Sequence, residues 1–189
     1  MTLGSLLLLA MMSISGCAKI PGTTAQEQVL TIDELVERTL TDLYEQDPNT
    51  KEEITSSVGY AVFSNKITKV PIVGAGSGYG IAIHNASGKR TYLKMARFDV
   101  GGGWGARSLR PVIIFQDEAK FNDMINGRWS AGAGAEAAAK VGDAGAAGGG
   151  SAGDAGNDQG YTFHMITDAG VSATVTANII RVSPMKLKD

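Results

Sequence analysis

Apolar and polar positions change period along this chain, and the changes mark its predicted elements. Ile32, Leu35/Val36, Thr39/Leu40 and Leu43 recur at helical spacing behind Thr31, which forms a capping box with Glu34. The predicted helix therefore opens at Thr31, presents an acidic outer face and stops at Asp47-Pro48-Asn49. Thr50 and Glu53 cap a shorter helix running into Val58. From Gly59 the period falls to two. Gly59–Lys69 reads as a strand whose Tyr60-Ala61-Val62-Phe63 is mostly buried. In the next strand Gly74, Gly76, Gly78 and Gly80 share one face, and Val73, Ala75, Ser77, Tyr79, Ile81 and Ile83 share the other. Asn85-Ala86-Ser87-Gly88 turns the chain, and Arg90–Val100 returns as the hairpin partner. Gly101, Gly103 and Gly105 repeat the glycine device opposite Val100, Trp104 and Ala106.

Glycine weakens a strand interior, so such runs imply a tight bend, a bulge or the close approach of another backbone. The expected result is a strongly curved antiparallel sheet with neighbours packed on the bare glycine face. Beyond it, Pro111–Phe115 is a short apolar run, and Asp117 caps a helix that turns Phe121, Met124 and Ile125 inward and ends at Gly127. Arg128–Val141 alternates Trp129 and alanines with small residues and reads as a strand. Gly142–Gly160 lacks apolar periodicity and reads as a mobile loop. Tyr161–Ile166, the turn Asp168-Ala169-Gly170 and Val171–Val182 make a closing hairpin. The fold class is α+β: a curved, partly barrel-like antiparallel β-sheet covered by two or three helices, formed by residues 31–189.

The first 30 residues follow a different logic. Leu6–Met12 is too short an apolar run to span a bilayer, which takes about 20 residues. Followed by Ser13-Ile14-Ser15-Gly16-Cys17, it fits a secretory signal with small residues before the cleavage point. Ile14-Ser15-Gly16-Cys17 resembles the bacterial lipobox, although no Lys or Arg precedes the apolar run. The resemblance implies residues 1–16 as a lipoprotein signal peptide, acylation of Cys17, and residues 17–30 as a tether carrying Pro21-Gly22. Three acyl chains at about 0.8 kcal/mol per buried methylene would make attachment effectively permanent. By resemblance to Gram-negative lipoproteins, Ala18 in place of Asp after the cysteine implies the outer membrane, with the face unspecified.

Charge adds one functional candidate. The chain of 189 residues has a net charge of −2, unevenly spread. Residues 18–58 hold nine acids against three bases, residues 60–110 eight bases against Asp99 alone, and residues 111–189 nine acids against six bases. Within the basic segment, Lys66, Lys69, Lys89 and Arg90 are the expected anionic-lipid cluster, provided the turn at Lys89 folds near Lys66–Lys69. Each base beside an anionic bilayer is worth about 1 kcal/mol. The competing account is a solvated face balanced by the acidic helix. Nucleic acid fits poorly, because the chain is acidic overall, its basic segment lacks interleaved aromatics, and its leader marks it for export.

Catalytic patterns are missing from the sequence. Gly74–Tyr79 has strand period and Tyr79 at the third glycine position of a dinucleotide fingerprint. Ser77 lacks the flanking glycines of a nucleophile elbow. His84 and His164 are single and distant, and Cys17, the only cysteine, has no organised partner nearby. Asp143, Asp154 and Asp158 match no calcium-loop spacing. No catalytic residue, metal or cofactor is assigned.

Gly59-Tyr60-Ala61-Val62-Phe63, Gly76-Ser77-Gly78-Tyr79-Gly80 and Gly101-Gly102-Gly103-Trp104-Gly105 together resemble the SYLF domain. So do Ile113-Ile114-Phe115, the short helix, Gly127-Arg128-Trp129 and the following Gly/Ala segment; the likeness runs from about Thr31 to Ser183. The resemblance implies a lipid-binding module. Eukaryotic relatives bind phosphoinositide membranes and some bundle actin, whereas bacterial members are commonly secreted or lipid-anchored. This chain carries no partner domain such as an SH3, and it has the long 142–160 segment and the lipobox. The functional expectation is a non-catalytic envelope lipoprotein whose domain binds lipid or another anionic envelope component. The alternative is a structural lipoprotein that holds a protein partner on its curved sheet or loop.

Overall fold

A computed structural model describes residues 19–100, 105–131, 160–169 and 177–188. The fold is α+β, an open antiparallel sheet packed with three helices. Helix α1 is Ala25–Gln46, six residues earlier at its start than predicted from Thr31. Thr-x-x-Glu occurs twice near the start of this helix, and the upstream copy is the cap: Thr24 accepts from the Glu27 amide while the Glu27 carboxylate reaches back to the Thr24 amide. Thr31 then lies inside the helix and its hydroxyl donates to the carbonyls of Glu27 and Pro21. Helix α2, Thr50–Ser56, forms as predicted but without the expected box. Its N-cap is Asn49, and the Thr50 hydroxyl donates to the Asp47 carbonyl at 2.6 Å.

The strands are β1 (Gly59–Val70), β2 (Val73–His84), β3 (Arg90–Val100), β4 (Gly105–Phe115), β5 (Ser130–Ala131), β6 (Tyr161–Ala169) and β7 (Ala177–Pro184). Helix α3, Glu118–Ile125, follows β4, with Asp117 accepting from the Lys120 amide and Gly127 in the left-handed region (φ +73°) just beyond. The sheet order is β5-β7-β3-β2-β1-β4-β6. The long hairpins β1–β2 and β2–β3 fall where alternation placed them. Among the described residues the closing hairpin is not formed: β6 pairs with β4 and β7 with β3, on opposite sides of the central strands. Period two identifies a strand and not its neighbour, and the central hairpins leave β3 and β4 as the two edges needing partners. The second glycine repeat at 101–104, most of the predicted 128–141 strand and the 142–159 loop lie outside the described residues.

Both sheet faces are packed near the ends of the strands marked by Gly59, His84 and Phe115. On one face Val62, Ile81, Val112, Ile114 and Ile166 pack under Ile32, Leu35 and Leu43 of α1 and Ile54 of α2. On the other, Phe63, Leu93, Phe115 and Phe163 meet Phe121 and Met124 of α3. Trp129, beside β5 at one edge, stacks edge-on against Tyr161 of β6 at the other, with ring centroids 5.5 Å apart. That contact draws the two margins together and shows how far the sheet curls.

The glycine face is filled, by the paired strand β1 of the same sheet and not by a separate element packed upon it. Phe63, Asn65 and Ile67 lie opposite Gly80, Gly78 and Gly76. They lean so far over the bare backbone that a Cβ at Gly80 would fall 2.6 Å from Phe63 Cδ1 and one at Gly76 2.7 Å from Ile67 Cγ1.

The expected tether is shorter than residues 17–30. Ile20 is buried among the α1-side core, and its carbonyl accepts from Gln28 Nε2 at 3.2 Å. The C-terminal segment closes over it: the Lys188 amide donates to Gln28 Oε1 at 2.9 Å, and Met185 and Leu187 pack on the same core.

Candidate functional site: an apolar and cationic end of the sheet

Directly paired residues in antiparallel strands share a face, so the register gives the surface row by row. On the α1 side the outermost row is Val70–Val73–Val100–Ala177. Behind it stands Thr68–Ala75–Phe98–Ile179, then Lys66–Ser77–Ala96–Arg181, then Ser64–Tyr79–Lys94–Ser183. Helix α1 covers the Val62–Ile81 row and reaches one row further out on β4 and β6, where Arg110 bonds Thr39 and Asp42 and Ile166 packs beneath the helix; the three outer rows lie beyond it. Seven large apolar side chains are exposed among the described residues, and six of them belong to this end: Val70, Ile72, Val73, Phe98, Val100 and Ile179, each between 40% and 68% exposed. Isolated exposed apolar residues need no explanation, but a contiguous group does. Lys66, Arg181 and Lys94 are exposed immediately behind it, and no acid stands in the three outer rows.

The four cations expected to cluster are divided by the fold. Lys66 and the backbone of Lys69 lie toward the outer end of β1. Lys89 and Arg90 lie at the other end, because Arg90 pairs with Ile83 and Ile83 with Tyr60. Six residues of strand separate Tyr60 from Lys66, about 20 Å at ~3.3 Å per residue. Arg90 is also engaged with Asp33 of α1 in a part-exposed ion pair. The β2–β3 turn and the β1–β2 turn cap opposite ends of one strand, so a sequence-local charge count could not join them. Cys17 lies outside the described residues.

Sequence reading missed that Lys94 and Arg181 share this end and face of the sheet with Lys66. That placement depends on β7 pairing with β3, whereas the closing hairpin would have put Arg181 beside β6. The exposed apolar end was legible only as ordinary strand residues, since alternation does not say where the covering helix stops.

Buried polar groups lie on both faces of the sheet, among them Arg110 of β4 against Thr39 and Asp42 of α1. Arg97 and Asp99, adjacent on the β3 glycine-side face, form a fully buried pair with Nε to Oδ1 at 2.7 Å and Nη2 to Oδ2 at 3.3 Å. Asn65 is 1% exposed beside them across the glycines, and its amide nitrogen and oxygen have no hydrogen-bond partner. On the other face His164 Nε2 of β6 lies 3.1 Å from Glu53 Oε2 of α2. Glu53 also accepts from the Thr162 hydroxyl and, at 3.2 Å, from Gln116 Nε2. Burial would push the Glu53 carboxyl up, but the bonds from His164 and Thr162 outweigh it and hold the carboxyl below its ordinary range. His84 is half-buried with Glu118 at 3.3 Å and packs edge-on against Phe121. Among the described residues no group of three or more His, Cys, Asp or Glu is placed to hold a metal ion. No described helix is long and apolar enough to cross a membrane.

The fold and this surface define an α+β domain with a helix-covered half and an uncovered apolar and cationic half. No family model matches the chain. The chain is similar to beta cell expansion factor A of Aeromonas veronii, 30% identical over 108 residues, a stretch that is 57% of this chain and 41% of that protein. The match thus spans about two fifths of the length of its relative.

Proposed function

We propose that this protein is a non-catalytic envelope lipoprotein, anchored in the outer membrane through acylated Cys17, whose SYLF-like domain binds an anionic lipid surface. The observation that carries the reading is the set of exposed cations, Lys66 and Arg181 on one row and Lys94 on the next, behind an uncovered apolar sheet end whose three outer rows hold no acid. Three such cations at about 1 kcal/mol each give roughly 3 kcal/mol of attraction at low salt, or about a hundredfold in partition. Because the contribution is exposed, it is screened as ionic strength rises.

The test is flotation of the full chain carrying Cys17→Ser, which cannot be acylated. Expected is association with phosphatidylglycerol-containing vesicles at low salt, release at high salt, and loss in the Lys66→Gln/Lys94→Gln/Arg181→Gln variant. Failure to associate with any vesicle refutes the lipid reading in favour of a protein partner held on the sheet. Acylation has its own readout, the mass of the mature N-terminal peptide, which carries diacylglycerol and a third acyl chain if Cys17 is the anchor.

A further inference from the structure

We propose that the outer end of the sheet enters the hydrocarbon of one membrane leaflet, with Ile72 at its tip and Lys66 and Arg181 held at the phosphate level. The proposal rests on the lipid-surface reading above and adds depth and orientation to it.

Three observations carry it. First, exposed apolar side chains are concentrated at this end: the β1–β2 turn presents Ile72, and Val73, Phe98 and Val100 stand on the strands beside it. Ile72 is the most exposed of the large apolar side chains described, at 68%. Second, the backbone of the central strands at this end is paired within the protein, and open edges among the described residues are confined to β4 beyond Ser108 and β7 beyond Ile180. A strand entering lipid must have its amides and carbonyls paired within the protein. The β1–β2 ladder runs to Val70↔Val73, leaving two turn residues, and β3 pairs with β2 through Val100↔Val73 and with β7 through Val100↔Ala177. Pairing of β1 with β4 runs out to Lys69↔Gly105. Third, the spacing of apolar and charged rows matches a leaflet. From Val70 to Lys66 is four residues of strand, about 13 Å, against about 15 Å for half the hydrocarbon core. Cations on that row reach the anionic headgroups as the tip reaches the acyl chains.

A lipid surface accounts for this pattern better than a protein groove-filler does. The end is a projecting turn, and its charge is of one sign and set back behind the apolar residues. Membranes present that same sequence in reverse, phosphate outside and hydrocarbon within.

The chain has one cysteine, so Ile72→Cys in the Cys17→Ser chain carries a single environment-sensitive fluorophore. The comparison is Lys89→Cys, at the opposite end of the strands. With vesicles of phosphatidylethanolamine and phosphatidylglycerol, the probe at position 72 should shift to the blue, brighten severalfold and be quenched by lipids spin-labelled on the acyl chain. The probe at 89 should do none of these. Ile72→Glu/Phe98→Glu should weaken vesicle partition more than tenfold, since two apolar side chains leave the hydrocarbon and two carboxylates take their place. Leu30→Glu, at an exposed apolar site on α1, should leave it unchanged. Vesicle binding with an unshifted probe at 72 overturns penetration and leaves surface binding standing. Absence of binding to any vesicle overturns both. A lipid-free dimer abolished by Ile72→Glu overturns penetration too, because the patch would then be a self-association face.

Discussion

Replacing Gly80 with alanine should destabilise the domain by about 2 kcal/mol, although in an open strand the same change is mildly favourable. The Cβ it adds has nowhere to go: it would meet the Val62 carbonyl, then Phe63 Cδ1 at 2.6 Å and Phe63 Cα at 2.9 Å. Backbone atoms of β1 cannot rotate aside, so the central hairpin must open. Overpacking of this kind costs about 1–3 kcal/mol, and the upper end applies where main chain is the obstacle. Against it stands about 0.4–1 kcal/mol gained because alanine narrows the unfolded ensemble. The net is about 2 kcal/mol, or roughly 4–8 °C in Tm for a domain of this size. Gly76→Ala should cost about 1–2 kcal/mol, because its Cβ would meet Ile67 Cγ1 at 2.7 Å and the Lys66 carbonyl oxygen at 2.9 Å, a looser fit than at Gly80. Urea unfolding of the Cys17→Ser chain, followed by far-UV circular dichroism, checks both, with unchanged m-values as the sign that only stability moved. A Gly80→Ala protein as stable as its parent would refute the account of why glycine alternates here.

The remaining predictions concern the buried polar groups. Glu53 has a folded pKa below its unfolded value, so its contribution is present above about pH 4.5 and is lost as the pH falls through the folded pKa. Glu53→Gln should therefore cost about 1–2 kcal/mol at neutral pH and flatten the acid limb of a plot of stability against pH. An acid limb identical to that of the parent would refute the role assigned to the His164–Glu53–Thr162 contacts. Asp99→Asn leaves the buried Arg97 guanidinium without its carboxylate and should cost about 3–5 kcal/mol, read by the same urea titration. A loss under 1 kcal/mol would mean that the guanidinium is satisfied elsewhere.

What was legible in the sequence was local. Glycines at every second position from 74 to 80 specified a strand, a bare face and a close neighbour, all of which the fold contains. Asn85–Gly88 specified its turn, and Asp117 and Gly127 the two ends of α3. Two kinds of information were absent. Duplicate signals conceal which copy acts: Thr24–Glu27 and Thr31–Glu34 are the same motif, and only the packing of Ile20 and Gln28 shows that the helix begins at the first. Pairing across the sheet is likewise unwritten in alternation. Arg181 could be placed on the row of Lys66 only after β7 was known to flank β3, and Lys89 separated from Lys66 only after β1 and β2 were seen to run their full paired length. Burial of His164 against Glu53, contributed by a helix far upstream, belongs to the same class.

The seating of Ile20 has a mechanical consequence for an anchored protein. Three peptide links join Cys17 to Ile20, a reach of at most about 11 Å. A flexible run through Leu30 would instead have let the body roam several nanometres from its acyl chains. With Ile20 clasped by Gln28 and roofed by the C-terminal segment, an acylated Cys17 would berth the domain hard against the leaflet. Any cargo would then have to come to the membrane, since so short a mooring forbids the protein from reaching out to fetch it.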